Sequence, residues 1–256
     1  MDLIYQPKGA AHEYCKWAVH FYNGCSNMCS YCYNRNGLFA KTLGMDKPQL
    51  RKCFRDIADA ELKFAKDLYK KKQLILADGG ELFFNFVSDP FLKETQDLNI
   101  WAIWHCTEYG ITPRVLTKMS TSNLLLPQGA KIGFTLTGHD IEEPGADTNK
   151  ERIRSMEFLH KVGQYTWASL EPVLDPLTTV TLIEQIYSFC DEIRIGLLSH
   201  KVKPYTEKGI LCMVHQINSF LSDKGYQGKL IYKESVNKYV KLDCNQEYNK
   251  LISQTK

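Results

Sequence analysis

The sequence predicts an α/β fold in which a parallel sheet is covered by helices. Strand-like and helix-like segments alternate along the chain through at least five units, a pattern typical of parallel sheets with helical crossovers. The 256 residues contain 44% hydrophobic amino acids, enough to bury a sizeable core. No linker rich in proline, glycine or serine divides the chain, so we expect a single domain over residues 1–256.

The elements of this fold follow from local periodicity. Short apolar segments rich in β-branched or aromatic residues predict strands at residues 17–22, 81–90, 112–118, 130–138, 165–173 and 192–198. Apolar residues at helical spacing predict helices at residues 46–69, 95–110, 148–163 and 178–190, with a turn or short helix at 120–129. Asp46 and Pro48 are the expected start of the first helix, and Gly163 is the expected stop of the third.

The last quarter of the chain, residues 201–256, departs from this pattern and is expected to form a C-terminal α/β extension. A helix is predicted at 209–225 and a strand with alternating polar positions at 229–240. Lys233, Glu234 and Lys238 in that strand either border a substrate site or protect an exposed sheet edge.

Polar residues close most of the predicted strands. In a parallel sheet the carboxyl ends of the strands meet at one edge, where ligands bind. The polar strand-end residues are Ser88, Asp89, Thr117, Lys118, Thr135, Thr137, Ser169, Glu171, Ser199 and His200. We expect these side chains to surround a common site.

Three cysteines occupy eight positions in the segment GCSNMCSYCY at residues 24–33, which we call the cysteine loop. Cys25, Cys29 and Cys32 follow the first predicted strand, so the loop is expected at the same edge of the sheet. Structural zinc sites usually have four ligands, and the other cysteines form no second CxxC pair. There are two alternatives to a metal centre with an open coordination position. One is a zinc site in which His20 supplies the fourth ligand. The other is that the three thiols are unrelated and simply buried.

The composition and the N-terminal sequence indicate the cellular location and the state of the cysteines. The N-terminal residues contain no secretory signal, and no apolar run is long enough to span a membrane. We therefore expect a reducing, cytoplasmic location, in which nine cysteines are thiols or metal ligands rather than a disulfide framework. The formal net charge of +3 neither requires nor excludes a nucleic-acid partner.

The spacing C-x3-C-x2-C, with the aromatic Tyr31 before the last cysteine, resembles the cluster-binding loop of the radical S-adenosylmethionine (SAM) superfamily. The resemblance implies a [4Fe–4S] cluster held by the three cysteines, whose fourth iron binds S-adenosyl-L-methionine. Reductive cleavage of SAM would give a 5′-deoxyadenosyl radical that abstracts a substrate hydrogen. It also implies a partial (β/α)6 TIM-type barrel over about residues 15–200, and an electron donor such as flavodoxin or ferredoxin.

The family roles are carried over to matching positions. Tyr31 and Tyr33 are expected to pack on the adenine of SAM. A Gly-Gly-Glu segment that holds the methionine amino group in the family is matched in letters by residues 79–81, which however precede the apolar strand. Ser88 and Asp89 at the end of that strand are therefore our choice for the amino group.

The resemblance also assigns polar residues on later strands. Thr135 and Thr137 alternate on the fourth strand and are expected to contact the SAM ribose or carboxylate, although threonine is also common in ordinary strands. Ser169 and Glu171 end the fifth strand and are assigned the same contacts.

Within the superfamily, the segments FVSDPF, RVLTK and IGFTLTG resemble the spore photoproduct lyase-like branch. Thr117 and Lys118 would then face the sugar or substrate, His139 is a candidate substrate contact, and Cys15 is the thiol expected to approach the site. These features imply a lyase, isomerase or repair enzyme acting on DNA, RNA or a modified nucleotide. The alternative is a non-catalytic nucleic-acid-binding module that is stabilised by zinc or by a cluster.

Overall fold

Seven strands form one parallel sheet in the computed structural model, which describes residues 2–36, 40–198 and 204–241. The strands are β1 Ala18–Val19, β4 Glu81–Phe84, β5 Thr112–Thr117, β6 Lys131–Thr135, β7 Tyr165–Val173, β8 Glu192–Leu197 and β9 Lys229–Tyr232. They lie in the order β1-β4-β5-β6-β7-β8-β9, and every neighbouring pair is parallel. A separate antiparallel pair joins β2 Tyr22–Asn23 to β3 Gln49–Leu50.

Helices connect most successive strands, whereas the described chain between β5 and β6 forms turns and loops. The helices are α1 Tyr33–Asn36, α2 Ala40–Leu43, α3 Ile57–Ala77, α4 Gln96–Glu108, α5 Asn149–Lys161, α6 Pro176–Ile186 and α7 Glu207–Asp223. Residues 234–241 are also helical. The predicted α/β fold with a partial-barrel sheet and a C-terminal extension is confirmed. None of the helices in the described part of the chain is long and apolar enough to cross a membrane.

Side chains alternate between two faces of the sheet. The outer face packs against the helices in one large core that includes Phe84, Val115 and Ile193. The inner face carries a smaller cluster centred on Phe83 and Trp167. Strand residues on the same side as Phe83 and Trp167 therefore belong to the inner face.

Several predicted boundaries are wrong. The helix predicted from Asp46 begins at Ile57, because Asp56 caps it by accepting a hydrogen bond from the Asp59 amide at 2.8 Å. The strand predicted over 81–90 ends at Phe84, and Asn85 has a φ of 66° that breaks the extended chain. The strand predicted over 229–240 stops at Tyr232, and helix follows from residue 234.

The segment before β1 has contacts near both edges of the sheet. Tyr5 pairs with Ala18 on one edge, with a 2.9 Å bond from the Tyr5 amide to the Ala18 carbonyl. At the other edge, Glu13 accepts a hydrogen bond from the Glu234 amide at 3.1 Å, and Arg194 bonds the Glu13 carbonyl. The segment that precedes residue 15 thus contacts both edges of the sheet, and the bounds predicted for the barrel core stay a prediction.

Candidate functional site

The cysteine loop follows β1 and returns its three thiols to one place. Gly24 has a φ of +85°, and a Cβ there would lie 2.5 Å from the Lys47 carbonyl oxygen, so a glycine lets the two backbones meet. The Cys25 amide bonds the Met45 carbonyl at 2.9 Å. Cys25, Cys29 and Cys32 all line one small cavity of about 20 Å³.

Burial keeps two of these thiols protonated. It raises the pKa of Cys25 to about 12, and the nearby Asp89 carboxylate adds to the effect. Burial also raises the pKa of Cys29, although the Lys118 ammonium acts in the opposite direction. Metal binding at this cavity must therefore displace protons. Among the residues described here, no three Cys, His, Asp or Glu side chains are arranged around a single metal ion.

Asp89 connects the cysteine loop to the ends of two strands. One carboxylate oxygen accepts from the Thr117 hydroxyl at 2.7 Å and the Phe91 amide at 3.0 Å. The other accepts from the Lys118 amide at 2.7 Å and the Asn27 side chain at 3.0 Å. Both oxygens are thus engaged, so the geometry favours a positioning role for Asp89 and Thr117; the SAM contact assigned to Asp89 stays a prediction.

Buried polar atoms without partners lie beside Asp89. The Ser88 side chain is only 7% exposed and its hydroxyl has no hydrogen-bond partner. The Asn27 side-chain oxygen Oδ1 is likewise buried and unpaired. Such atoms are rare in folded proteins unless a ligand or water satisfies them. Ser88 therefore fits the ligand contact predicted for it.

The β6–α5 segment packs against the cysteine loop. The Ser30 amide bonds the Glu142 carbonyl at 2.9 Å, and the Gly145 amide bonds the Asn27 carbonyl at 3.0 Å. A Cβ on Gly145 would lie 2.0 Å from the Ser26 carbonyl oxygen, so only glycine permits this approach.

A buried carboxylate from this segment meets the loop. Glu143 accepts hydrogen bonds from the Tyr31 phenol and from Arg152. Its other contact is the Lys118 ammonium at 3.5 Å, which also lies 5.5 Å from the centre of the Tyr31 ring. The predicted residues Tyr31 and Lys118 are therefore brought together with Cys29.

The predicted site residues in β6 and in the segment after it have different surroundings. Thr135 is in register with Ser169 on the inner face. The Thr137 hydroxyl accepts from the His139 amide at 3.3 Å, and the Thr137 amide bonds Asn149 at 2.9 Å, which ties this residue to the start of α5. One ring nitrogen of His139, Nε2, is buried without a partner.

Ser169 and Glu171 lie on the inner face and bind a residue that sequence analysis missed. The Tyr14 phenol contacts the Ser169 hydroxyl at 2.9 Å and donates to the Glu171 carboxylate. Lys233 donates to the same carboxylate at 2.7 Å, which places the predicted Lys233 at the site border. A Cβ on Gly196 would lie 2.6 Å from the Glu171 carboxyl carbon, so glycine makes room for this side chain.

Of the predicted residues, Cys15 lies apart from this group. Cys15 is buried at the amino end of β4, where its thiol bonds the Glu81 carbonyl at 3.4 Å. The substrate contact expected of Cys15 is not supported by this placement, because the cysteine loop lies at the opposite end of the sheet. Tyr33 is 57% exposed and its phenol donates to the Phe86 carbonyl. Ser199 and His200 lie outside the described residues.

The sequence contained weak signals for what was missed. Glu143 belongs to the acidic pair at residues 142–143 directly after a strand-end turn, which is the position where site residues collect. Tyr14 precedes the first strand and carried no such signal. The Gly79-Gly80 prediction was right: both glycines have positive φ in the turn before β4, and Glu81 begins that strand.

Comparison with known proteins gives structural matches only. No family model and no curated sequence matches the chain. SuiB of Streptococcus suis bound to S-adenosylmethionine superposes with a TM-score of 0.60 at 11% identity, over 84% of this chain and 49% of SuiB. A spore photoproduct lyase variant with bound AdoMet and dinucleoside spore photoproduct gives a TM-score of 0.56 at 12% identity, over 84% of this chain and 76% of that one.

The chain therefore shares its fold with these two proteins. It spans about half the length of SuiB, and the resemblance seen in the sequence is confirmed at the level of the fold. The carboxyl ends of the strands form the ligand edge in parallel α/β barrels, and the cysteine loop, Ser88, Lys118 and Glu143 lie at this end of the sheet.

Proposed function

We propose that this chain is a radical SAM enzyme that binds a [4Fe–4S] cluster through Cys25, Cys29 and Cys32. The observation that carries the proposal is the convergence of these three thiols on one cavity at the ligand edge of a radical SAM fold. Thiolates are the usual protein ligands of iron–sulfur clusters, so the chemistry of the donor set fits. No fourth cysteine lines the cavity in the described residues, which leaves one iron for SAM.

When bound, the reduced cluster and SAM would supply a 5′-deoxyadenosyl radical for hydrogen abstraction. The protein supplies position and exclusion of water. Ser88 offers an unpaired hydroxyl to the polar end of SAM, and the Lys118 ammonium offers spare donors toward an anionic group. On the far side of the inner face, Ser169, Glu171 and Lys233 offer polar contacts to a substrate or to the ribose.

For the substrate we propose a nucleotide derivative that undergoes a lyase, isomerase or repair reaction. Support comes from the similarity to spore photoproduct lyase, whose structure contains a dinucleoside. A small redox protein such as flavodoxin or ferredoxin would donate the electron. The competing function is a binding module in which the same thiols hold metal for structure alone.

Anaerobic reconstitution with iron and sulfide tests the proposal. The wild-type chain should bind roughly four irons and, when reduced, convert SAM to methionine and 5′-deoxyadenosine. Cys29→Ala should lose both properties. Cys53→Ala is the matched control, because Cys53 is an exposed free thiol outside the loop. A colourless protein that holds zinc, or equal iron uptake by both variants, would refute the proposal.

A further inference from the structure

Glu143 is a fully buried carboxylate that no motif marks. Its side chain has 0% exposure, and so does that of its partner Arg152. A buried carboxylate is stable as an anion only where cations and donors surround it. Burial by itself would raise the pKa of Glu143, but Lys118 and Arg152 outweigh it and hold that pKa below its usual range.

Arg152 fixes the carboxylate to the sheet. Besides Glu143, its guanidinium bonds the carbonyl of Thr135, the last residue of β6, at 2.5 Å. Arg152 comes from α5, so this pair joins a helix, a strand end and the β6–α5 segment. The Glu143 carboxylate is thus held by a rigid part of the fold.

The two remaining partners of Glu143 face the cysteine loop. Tyr31 lies between Cys29 and Cys32 in sequence, and its phenol donates to Glu143. The Lys118 ammonium lies 3.5 Å from the Glu143 carboxylate, and its charge acts to lower the pKa of the Cys29 thiol. An ion pair that served stability alone would need Arg152 and neither of these contacts.

We propose that Glu143 is a positioning residue for the cluster site. It holds the Tyr31 ring between two cluster ligands and keeps the Lys118 ammonium beside Cys29, where both can meet the ligand of the open iron. Only the identity of the bound ligand rests on the proposed function, because the contacts of Glu143 with Tyr31 and Lys118 are present without a ligand.

Glu143→Gln tests the role, since it keeps the shape but cannot accept hydrogen bonds on its amide nitrogen. Glu157→Gln is the matched control, because Glu157 pairs with Lys161 on the exposed side of α5. Glu143→Asp keeps the negative charge and should therefore have a smaller effect than Glu143→Gln. Tyr31→Phe removes only the phenol and serves as a second probe if Glu143→Gln folds poorly.

The first measurement is hydrogen–deuterium exchange on the metal-free protein. Peptides covering residues 25–36 should exchange about tenfold faster in Glu143→Gln, and the Tyr31→Phe change should add little to it, because both remove one interaction. Glu157→Gln should match the wild type. Unchanged exchange in both Glu143→Gln and Tyr31→Phe would overturn the proposal.

The second measurement is the EPR spectrum of the reduced, reconstituted protein during titration with SAM. Glu143→Gln should shift the SAM-induced spectral change to about tenfold higher SAM, and Glu143→Asp should move it back. An unshifted titration in Glu143→Gln would overturn the role at the ligand. If the wild type shows no response to SAM, the proposed function fails, and the exchange result still decides whether Glu143 positions the loop.

Discussion

The amino and carboxyl ends of the inner face both hold buried charges, but the two ends satisfy them differently. At the amino end, Arg114 bonds Glu192 and reaches Glu81 at 3.4 Å, while Lys131 bonds Glu81 at 2.6 Å. Arg194 also bonds Glu192. The group is closed on itself: apart from Arg114 Nε, the polar atoms of these side chains are paired or reach solvent.

The carboxyl end is left incomplete. The Ser88 hydroxyl, the Asn27 side-chain oxygen Oδ1 and His139 Nε2 are buried without partners, and the Lys118 ammonium makes one long ion pair. Unpaired buried groups lower stability, so they persist where a ligand completes them. We therefore expect the amino end to contribute stability and the carboxyl end to bind the ligand.

The largest effect is expected at the amino end. Arg114→Ala removes the cation that Glu192 and Trp167 share; the guanidinium lies 4.3 Å from the Trp167 ring centre. Leaving a buried carboxylate with fewer partners should lower the free energy of unfolding by about 3 kcal/mol. Urea denaturation measures this, and Lys131→Ala is the control with an effect below about 1 kcal/mol. Equal losses for the two variants would contradict the comparison.

A smaller effect is expected where a buried carboxylate at the carboxyl end is fully satisfied. Asp89→Asn should lower the free energy of unfolding by about 2 kcal/mol, because an amide nitrogen cannot accept the hydrogen bonds that one oxygen now accepts. Iron should also dissociate faster to a chelator. Thr117→Val removes a single donor and should cost about 1 kcal/mol. Asp89→Asn with wild-type stability and altered SAM binding would instead favour the direct SAM contact.

The pH dependence of the free energy of unfolding tests His20, which follows the carboxyl end of β1. Burial, helped by Arg51, lowers the pKa of His20 to about 4. The unfolded chain binds this proton near pH 6.5, so the stabilising contribution is full above that pH and is lost as pH falls toward 4. Between pH 7 and 5 the loss should be about 1.8 kcal/mol in urea titrations. His20→Gln should remove this loss, and a pH dependence equal to the wild type would assign it to other groups.

The smallest effect on stability is expected for a change at Ser88, and it separates the roles of the two ends of the inner face most clearly. Ser88→Ala removes a hydroxyl that has no partner, so the metal-free protein should change by less than about 0.5 kcal/mol. SAM affinity of the reconstituted protein should nevertheless fall about fivefold in calorimetric titration, because one ligand hydrogen bond is lost. Ser169→Ala serves as contrast, since its hydroxyl bonds Tyr14 at 2.9 Å and its loss should lower stability. A destabilised Ser88→Ala with unchanged SAM affinity would assign Ser88 to the fold.

Local patterns were reliable where periodicity and chemistry agreed. The strand predicted at 165–173 is β7, and the helix predicted after Thr148 is α5 with a capping box between Thr148 and Glu151. The pattern failed for α3, because apolar residues at 49–54 mimic helical spacing while residues 49–50 pair with β2. It also failed after β4, where a single left-handed residue ends the strand inside an apolar run.

The sequence by itself determined the parallel α/β fold and the cysteine loop, because helix spacing, strand spacing and cysteine spacing are local properties of the chain. Only the tertiary structure decided that Tyr14, Glu143 and Lys233 join the site. Tyr14 reaches Glu171 across 157 positions and Tyr31 reaches Glu143 across 112. Contacts between residues so far apart depend on how the strands are ordered and how their ends meet, which no local pattern records.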